Sequence, residues 1–183
     1  DFLKANYHAH TWRCQHAYDT EREYIEAAIA MGIEIFGFSD HVPCPYTDGY
    51  VSGIRMTMQQ APEYVETIRK LEAEYQDQIK IYVGFEAEYV PEFYEEQMRL
   101  FRNLGCDYMI MGQHFLGSEQ MGPYTGTETE DESRIRTYVD LVIEGMQTGS
   151  YAYLAHPDLM NISVQRSLTI RSILLPSQAR AQE

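Results

Sequence analysis

The segment Tyr7-His8-Ala9-His10-Thr11-Trp12-Arg13-Cys14-Gln15-His16 carries three of the six histidines in the chain. On an extended strand residues i and i+2 share a face, so His8 and His10 are expected side by side on a first strand, with His16 in the loop behind them. Two imidazoles on one rigid face with a third nearby are the beginnings of a transition-metal site. The competing reading is two unrelated polar residues on an exposed strand. The other histidines decide between them. Each closes a short apolar run: Ile33 to Phe38 stops at Ser39-Asp40-His41, Tyr108 to Gly112 at Gln113-His114, and Tyr151 to Ala155 at His156-Pro157-Asp158. A further run, Ile79 to Phe85, stops at Glu86.

Helical signals separate these runs. Thr20-Glu21-Arg22-Glu23 has the form of a capping box, followed by Tyr24, Ile25, Ala28 and Met31 at helical spacing and a Gly32 stop. Pro62 suits the first turn of a helix with Tyr64, Val65, Ile68, Leu71 and Tyr75 on one stripe. Pro91 opens another through Tyr94, Met98 and Phe101 to Gly105, and Asp131 precedes one carrying Ile135, Val139, Val142, Ile143 and Met146 up to Gly149. Most of the tyrosines are expected in the core along such stripes. Strands alternating with helices predict an α/β fold with parallel strands and crossover helices. In a parallel barrel the C-terminal strand ends form one rim, where active sites are built.

On that rim stand His8, His10, His41, Glu86, His114 and His156, with His16 in the first rim loop. One zinc ion takes three or four ligands, so this set is too large for a single ion and predicts two or three divalent ions. Imidazole-rich sites suit Zn, Fe or Mn better than Mg alone. Glu86, mid-rim with two oxygens, is the natural bridge. Glu88 either supports a ligand or is an exposed residue past the strand. Asp40 either orients a ligand imidazole or serves as a proton donor. Clusters of this kind make hydroxide near neutral pH and clamp a phosphoryl group.

The composition narrows the partners. A formal charge of −14 argues against a nucleic-acid surface, because phosphate backbones select basic patches, yet does not exclude a small anionic substrate at a metal site. Three cysteines without paired spacing point to a reducing compartment. No apolar run has the length of a membrane span and no leader-like segment is visible, so the expectation is a cytoplasmic chain with no membrane partner; nothing in the sequence sets its oligomeric state.

The ordered motifs His8-Ala-His10-Thr with His16, Phe38-Ser-Asp40-His41, Gly84-Phe-Glu86-Ala-Glu88-Tyr, Gly112-Gln-His114-Phe and Ala155-His156-Pro-Asp resemble those of the PHP (polymerase and histidinol phosphatase) family, most closely its histidinol-phosphate phosphatases. The resemblance covers residues 3 to about 162. It implies a distorted (β/α)7 TIM-like barrel and a trinuclear metal centre. By motif, His8, His10 and Glu86 would hold one metal, Glu86 would bridge to a second held by His114 and His156, and His16 with His41 would hold the third. The implied reaction is hydrolysis of L-histidinol phosphate, in histidine biosynthesis. Arg55 is the candidate for the substrate phosphate, with a solvated loop arginine as the alternative; Arg13 and Cys14 are weaker candidates for phosphate and zinc. The family's late Asp-x-His pair is missing: no aspartate follows Asp158 and no histidine follows His156. The expectation is therefore a partial barrel over 1–162 and an atypical tail over 163–183. Two alternatives follow, a related phosphoesterase acting on another small phosphate ester and an inactive metal-binding remnant.

Overall fold

A computed structural model describes residues 3–162; the expected tail over 163–183 lies outside the described residues. Four strands, β1 (Ala5–Asn6), β2 (Ile35–His41), β3 (Lys80–Ala87) and β4 (Tyr108–Met111), form one sheet in the order β1-β2-β3-β4. Every pairing is parallel. The helices α1 (Glu21–Ala30), α2 (Ala61–Tyr75), α3 (Pro91–Leu104) and α4 (Glu132–Gln147) alternate with them, as the periodicities predict. This is the α/β architecture of a TIM-like barrel, of which the described residues form one part.

Local chemistry explains the element ends. Thr20 caps α1 by accepting from the Glu23 N–H while the Glu23 carboxylate accepts from the Thr20 N–H, a complete capping box. Pro91 begins α3, where its missing N–H costs nothing, and Gly105 ends it at φ 64°. The helix-facing side of β3, Ile81, Val83, Phe85 and Ala87, is fully buried and packs with Phe38, Ile25 and Ile68 in a single core.

The inner face of the sheet is built differently. Gly37 and Gly84 leave room there for Tyr108, and the Tyr7 ring meets those of Tyr108 and Tyr82 at centroid separations of 5.8 and 6.1 Å, while the Tyr108 hydroxyl donates to the Tyr7 carbonyl at 2.8 Å. Tyr82 and Tyr108 are strand residues and Tyr7 directly follows β1, whereas Tyr64 and Tyr75 sit on a helix as expected. A Cβ on Gly84 would overlap the Tyr108 backbone carbonyl as well as its ring. Gly84→Ala is therefore expected to push β3 from β4 and cost about 1–3 kcal/mol in urea unfolding, as overpacking does. A change within error would show that the two strands can separate freely.

Two strand expectations are corrected. β1 is only two residues long, so His8 and His10 lie beyond it. Asn6 ends the ladder because its side-chain oxygen takes the His8 N–H at 2.9 Å, although Ala9 still accepts from the Ser39 N–H. Tyr151 to Ala155 is not a full strand. It runs beside β4 through Ala152 N to Met109 O, Met111 N to Tyr153 O and Ala155 N to Met111 O, and forms one bridge, Met111 to Leu154. β4 offers four residues to pair with, and the chain turns away at His156 (φ 34°) and Pro157.

Candidate metal centre

Parallel registry is what gathers the ligands. His41 and Glu86 are Cα partners at the ends of β2 and β3, and β4 delivers its loop, with His114, beside them. Gly112 follows β4, and a side chain there would overlap the Glu86 carboxylate, so glycine is required for the close approach. His156 reaches the same point from a left-handed backbone, a strained conformation for a residue with a side chain and one that recurs at functional sites.

Glu86 is the hub. Its Oε2 lies 3.3 Å from His8 Nε2, His10 Nε2 and His41 Nδ1; its Oε1 lies 2.8 Å from His156 Nε2 and 3.5 Å from His114 Nε2. One oxygen thus faces His8 and His10 and the other faces His114 and His156. His16 joins through ring contacts with His10 (5.6 Å) and His41 (5.2 Å). The ligand atoms fall into three groups within 4.8 Å: His8, Glu86 and His156; His41, Glu86 and His114; His10, His16 and His41. A fourth group, His10, Cys14 and Asp40, is closed off because Asp40 is engaged by hydrogen bonds and the Cys14 thiol donates to the Thr11 carbonyl at 3.0 Å.

Three rings are held from behind. His10 Nδ1 meets Asp40 Oδ1 at 3.3 Å, His114 Nδ1 meets Glu88 Oε1 at 2.9 Å, and His16 Nδ1 meets the Cys14 carbonyl at 2.8 Å. With Nδ1–H donating, each presents the Nε2 lone pair forward, the arrangement that fixes tautomer and orientation in ligating histidines. Asp40 also accepts from the backbone N–H groups of Thr11 and His41 and from the Thr11 hydroxyl. Of its two expected roles, the geometry favours orienting His10: Asp40 is fully buried and does not line the cavity.

The electrostatics suit a cation. Burial alone would raise the Asp40 carboxyl, but the bonds from His10 and Thr11 outweigh it and hold it below the usual carboxylate range. Glu86 behaves alike: burial opposes ionisation, yet His10, His156 and His8 keep it well below that range. Burial disfavours charge on His10, but Asp40, Cys14 and Glu86 prevail and push its pKa up to about 11, so the ring itself carries the positive charge this centre calls for and would give up its Nε2 proton on ligating a metal. For His41 burial wins over Glu86 and drives the pKa down to about 3, leaving a neutral imidazole with one ring nitrogen free to ligate. Glu86 Oε2 and His41 Nδ1 are buried at 3.3 Å from each other without a hydrogen bond. A centre of carboxylate oxygens and imidazole nitrogens with unmatched lone pairs needs positive charge, which a divalent ion supplies. The residues fit the metal set that the sequence implies.

A cavity of about 490 Å³ opens over these groups, lined by all seven expected ligands together with Ile54, Phe115, Tyr124 and Leu159. The last four were not singled out in the sequence; their apolar identity resembles that of any core position. Arg55 is placed elsewhere. It is 2% exposed, pairs with both Glu88 oxygens at 3.0 and 3.1 Å, donates to Glu119 at 3.0 Å and to the Val42 carbonyl, and does not line the cavity. Four of its five N–H donors are committed within the protein, which leaves one for the substrate phosphate expected of it. Glu88 is buried behind His114, not an exposed residue past the strand. Arg13 neither reaches the cavity nor faces solvent: it pairs with Glu21 and with Glu63 at 2.9 Å beneath the Trp12 and Tyr64 rings.

A PHP domain model matches residues 6–179, and the chain belongs to the PHP domain family. Over 159 residues, 83% of this chain and 59% of the relative, it is 32% identical to a protein of Deinococcus radiodurans named "Probable histidinol-phosphatase". It is 33% identical over 123 residues, 63% of this chain and 46% of the relative, to the histidinol-phosphatase of Bacillus subtilis. The chain spans about half the length of these relatives. The fold is shared with the histidinol phosphate phosphatase of Lactococcus lactis, solved with zinc, L-histidinol and phosphate: TM-score 0.69 at 24% identity, covering 90% of this chain and 62% of that one. Among the described residues no helix is long and apolar enough to cross a membrane.

Proposed function

We propose that this chain is a metal-dependent phosphomonoesterase acting on L-histidinol phosphate. The observation that carries the reading is the Glu86 carboxylate, buried with five imidazoles within 3.5 Å of its two oxygens. In this reading His8, His10, His16, His41, Glu86, His114 and His156 hold two or three divalent ions, zinc, iron or manganese. Such ions, when bound, polarise phosphoryl oxygens and lower the pKa of water into the neutral range. The protein's own work is placement. Asp40, Glu88 and the Cys14 carbonyl fix three rings, so little reorganisation is needed when charge develops. Ile54, Phe115, Tyr124 and Leu159 give the organic part of the ester an apolar, partly aromatic wall and keep water from that side. The names of the relatives favour histidinol phosphate over other small phosphate esters.

A second reading is metal binding without turnover, since the chain spans about half the length of the relatives it matches. Elemental analysis combined with phosphate release from L-histidinol phosphate separates the two. The first reading expects two or three ions per chain and turnover that a chelator abolishes and added zinc restores. Bound metal with no phosphate release from this or other monoesters supports the second. A chain that binds no divalent ion refutes both.

A further inference from the structure

We propose that Glu119 is a positioning residue for His114, acting through Arg55 and Glu88 to couple two surface loops to the strength of metal binding. The inference rests on the metal-centre reading above. Its basis is an unbroken line of polar contacts leading away from the centre. His114 Nδ1 meets Glu88 Oε1 at 2.9 Å; Glu88 takes a two-point contact from Arg55 at 3.0 and 3.1 Å; Arg55 Nε donates to Glu119 Oε2 at 3.0 Å. Glu119 then receives the Tyr50 hydroxyl on Oε1 and the Ser52 hydroxyl on Oε2, each at 2.7 Å. A parallel contact, Gln120 Nε2 to Asp48 Oδ2 at 2.9 Å, ties the same two loops.

The loop after β2 and the loop after β4 thus meet at the Glu119 carboxylate, with the Gln120–Asp48 contact as a second tie. Glu88 and Arg55 are 1% and 2% exposed, so the inner links sit where a hydrogen bond is strong and an unmatched charge costly. A guanidinium is planar, so its contact at Nε fixes the plane in which its other nitrogens meet Glu88. If Glu119 loses its charge, that plane is no longer held and Glu88 gives His114 a looser anchor. The metal ligands themselves require nothing of Glu119, which makes the effect specific to this line of contacts.

The test measures zinc affinity of the full 183-residue chain by competition with a chromophoric chelator. Glu119→Gln is expected to weaken zinc by about tenfold, the low end of what supporting residues contribute. In a Glu88→Gln background it is expected to change zinc affinity by less than about twofold, because coupled residues are non-additive. Equal weakening in both backgrounds, or none in the parent, overturns the proposal. If Glu88→Gln does not fold, Tyr50→Phe replaces it: its weakening of zinc must vanish once Glu119 is Gln, and an additive loss overturns the coupling. His114→Ala tells the two levels apart. Loss of zinc there alongside no effect of Glu119→Gln rejects the coupling alone; unchanged zinc there rejects the metal centre itself.

Discussion

Glu86→Gln is expected to lower zinc content to one ion or none per chain and to reduce phosphate release by about 10³-fold, equivalent to about 4 kcal/mol of transition-state stabilisation. The amide keeps the shape of the side chain, so the fold should persist. What it removes is the negative charge that five imidazoles share. It also removes one of two equivalent acceptor oxygens, the feature that lets a single residue face His8 and His10 on one side and His114 and His156 on the other. A carboxylate between two ions offsets their mutual repulsion; a neutral amide cannot. Elemental analysis and a phosphate assay on the same preparation check this, with circular dichroism as a control for folding. Full metal content in Glu86→Gln would show that the imidazoles suffice and that Glu86 does not bridge.

Arg55→Met should destabilise the chain by about 3–5 kcal/mol, since removing one partner of a buried pair leaves the other charged and unmatched. In thermal unfolding of a domain this size that corresponds to a drop of roughly 10 °C. The magnitude follows from burial. Arg55 and Glu88 are almost inaccessible, and Glu119 is largely enclosed. Burial opposes ionisation of the Glu88 carboxyl, and the Arg55 charge is the chief reason it nevertheless stays below the usual range. Without that charge Glu88 must take up a proton or draw in water, and either change disturbs His114. Adding Glu88→Gln to Arg55→Met should recover part of the loss, because it removes the orphaned charge. A cost under about 1 kcal/mol in urea unfolding would mean that the pair is solvated in solution, as exposed ion pairs are.

The sequence alone determined the candidate ligands and the order in which the fold supplies them. Each of His41, Glu86, His114 and His156 follows an apolar run closed by polar residues, and that punctuation is local, so it survives without knowledge of the partners. The capping box at Thr20 and the proline and glycine ends of α3 were readable for the same reason. The length of β1 was not, because it depends on Asn6 turning back to the His8 N–H, a contact that no periodicity encodes. Nor was the fate of Tyr151 to Ala155, which depends on how much of β4 is there to pair with.

Only the tertiary structure decided what Arg55 does. In sequence it is a charged residue in a glycine- and proline-punctuated loop, open to either substrate or solvent. Its partners Glu88 and Glu119 are 33 and 64 residues away, brought to it by strand register and by the packing of two loops. The same holds for the division of labour within the histidines. Spacing can place an imidazole on a rim. Which of its nitrogens points inward is set by the carboxylate or carbonyl behind it: Asp40 for His10, Glu88 for His114 and the Cys14 carbonyl for His16. A metal centre depends on lone-pair direction as much as on residue type, and direction is a property of the assembled sheet and its loops.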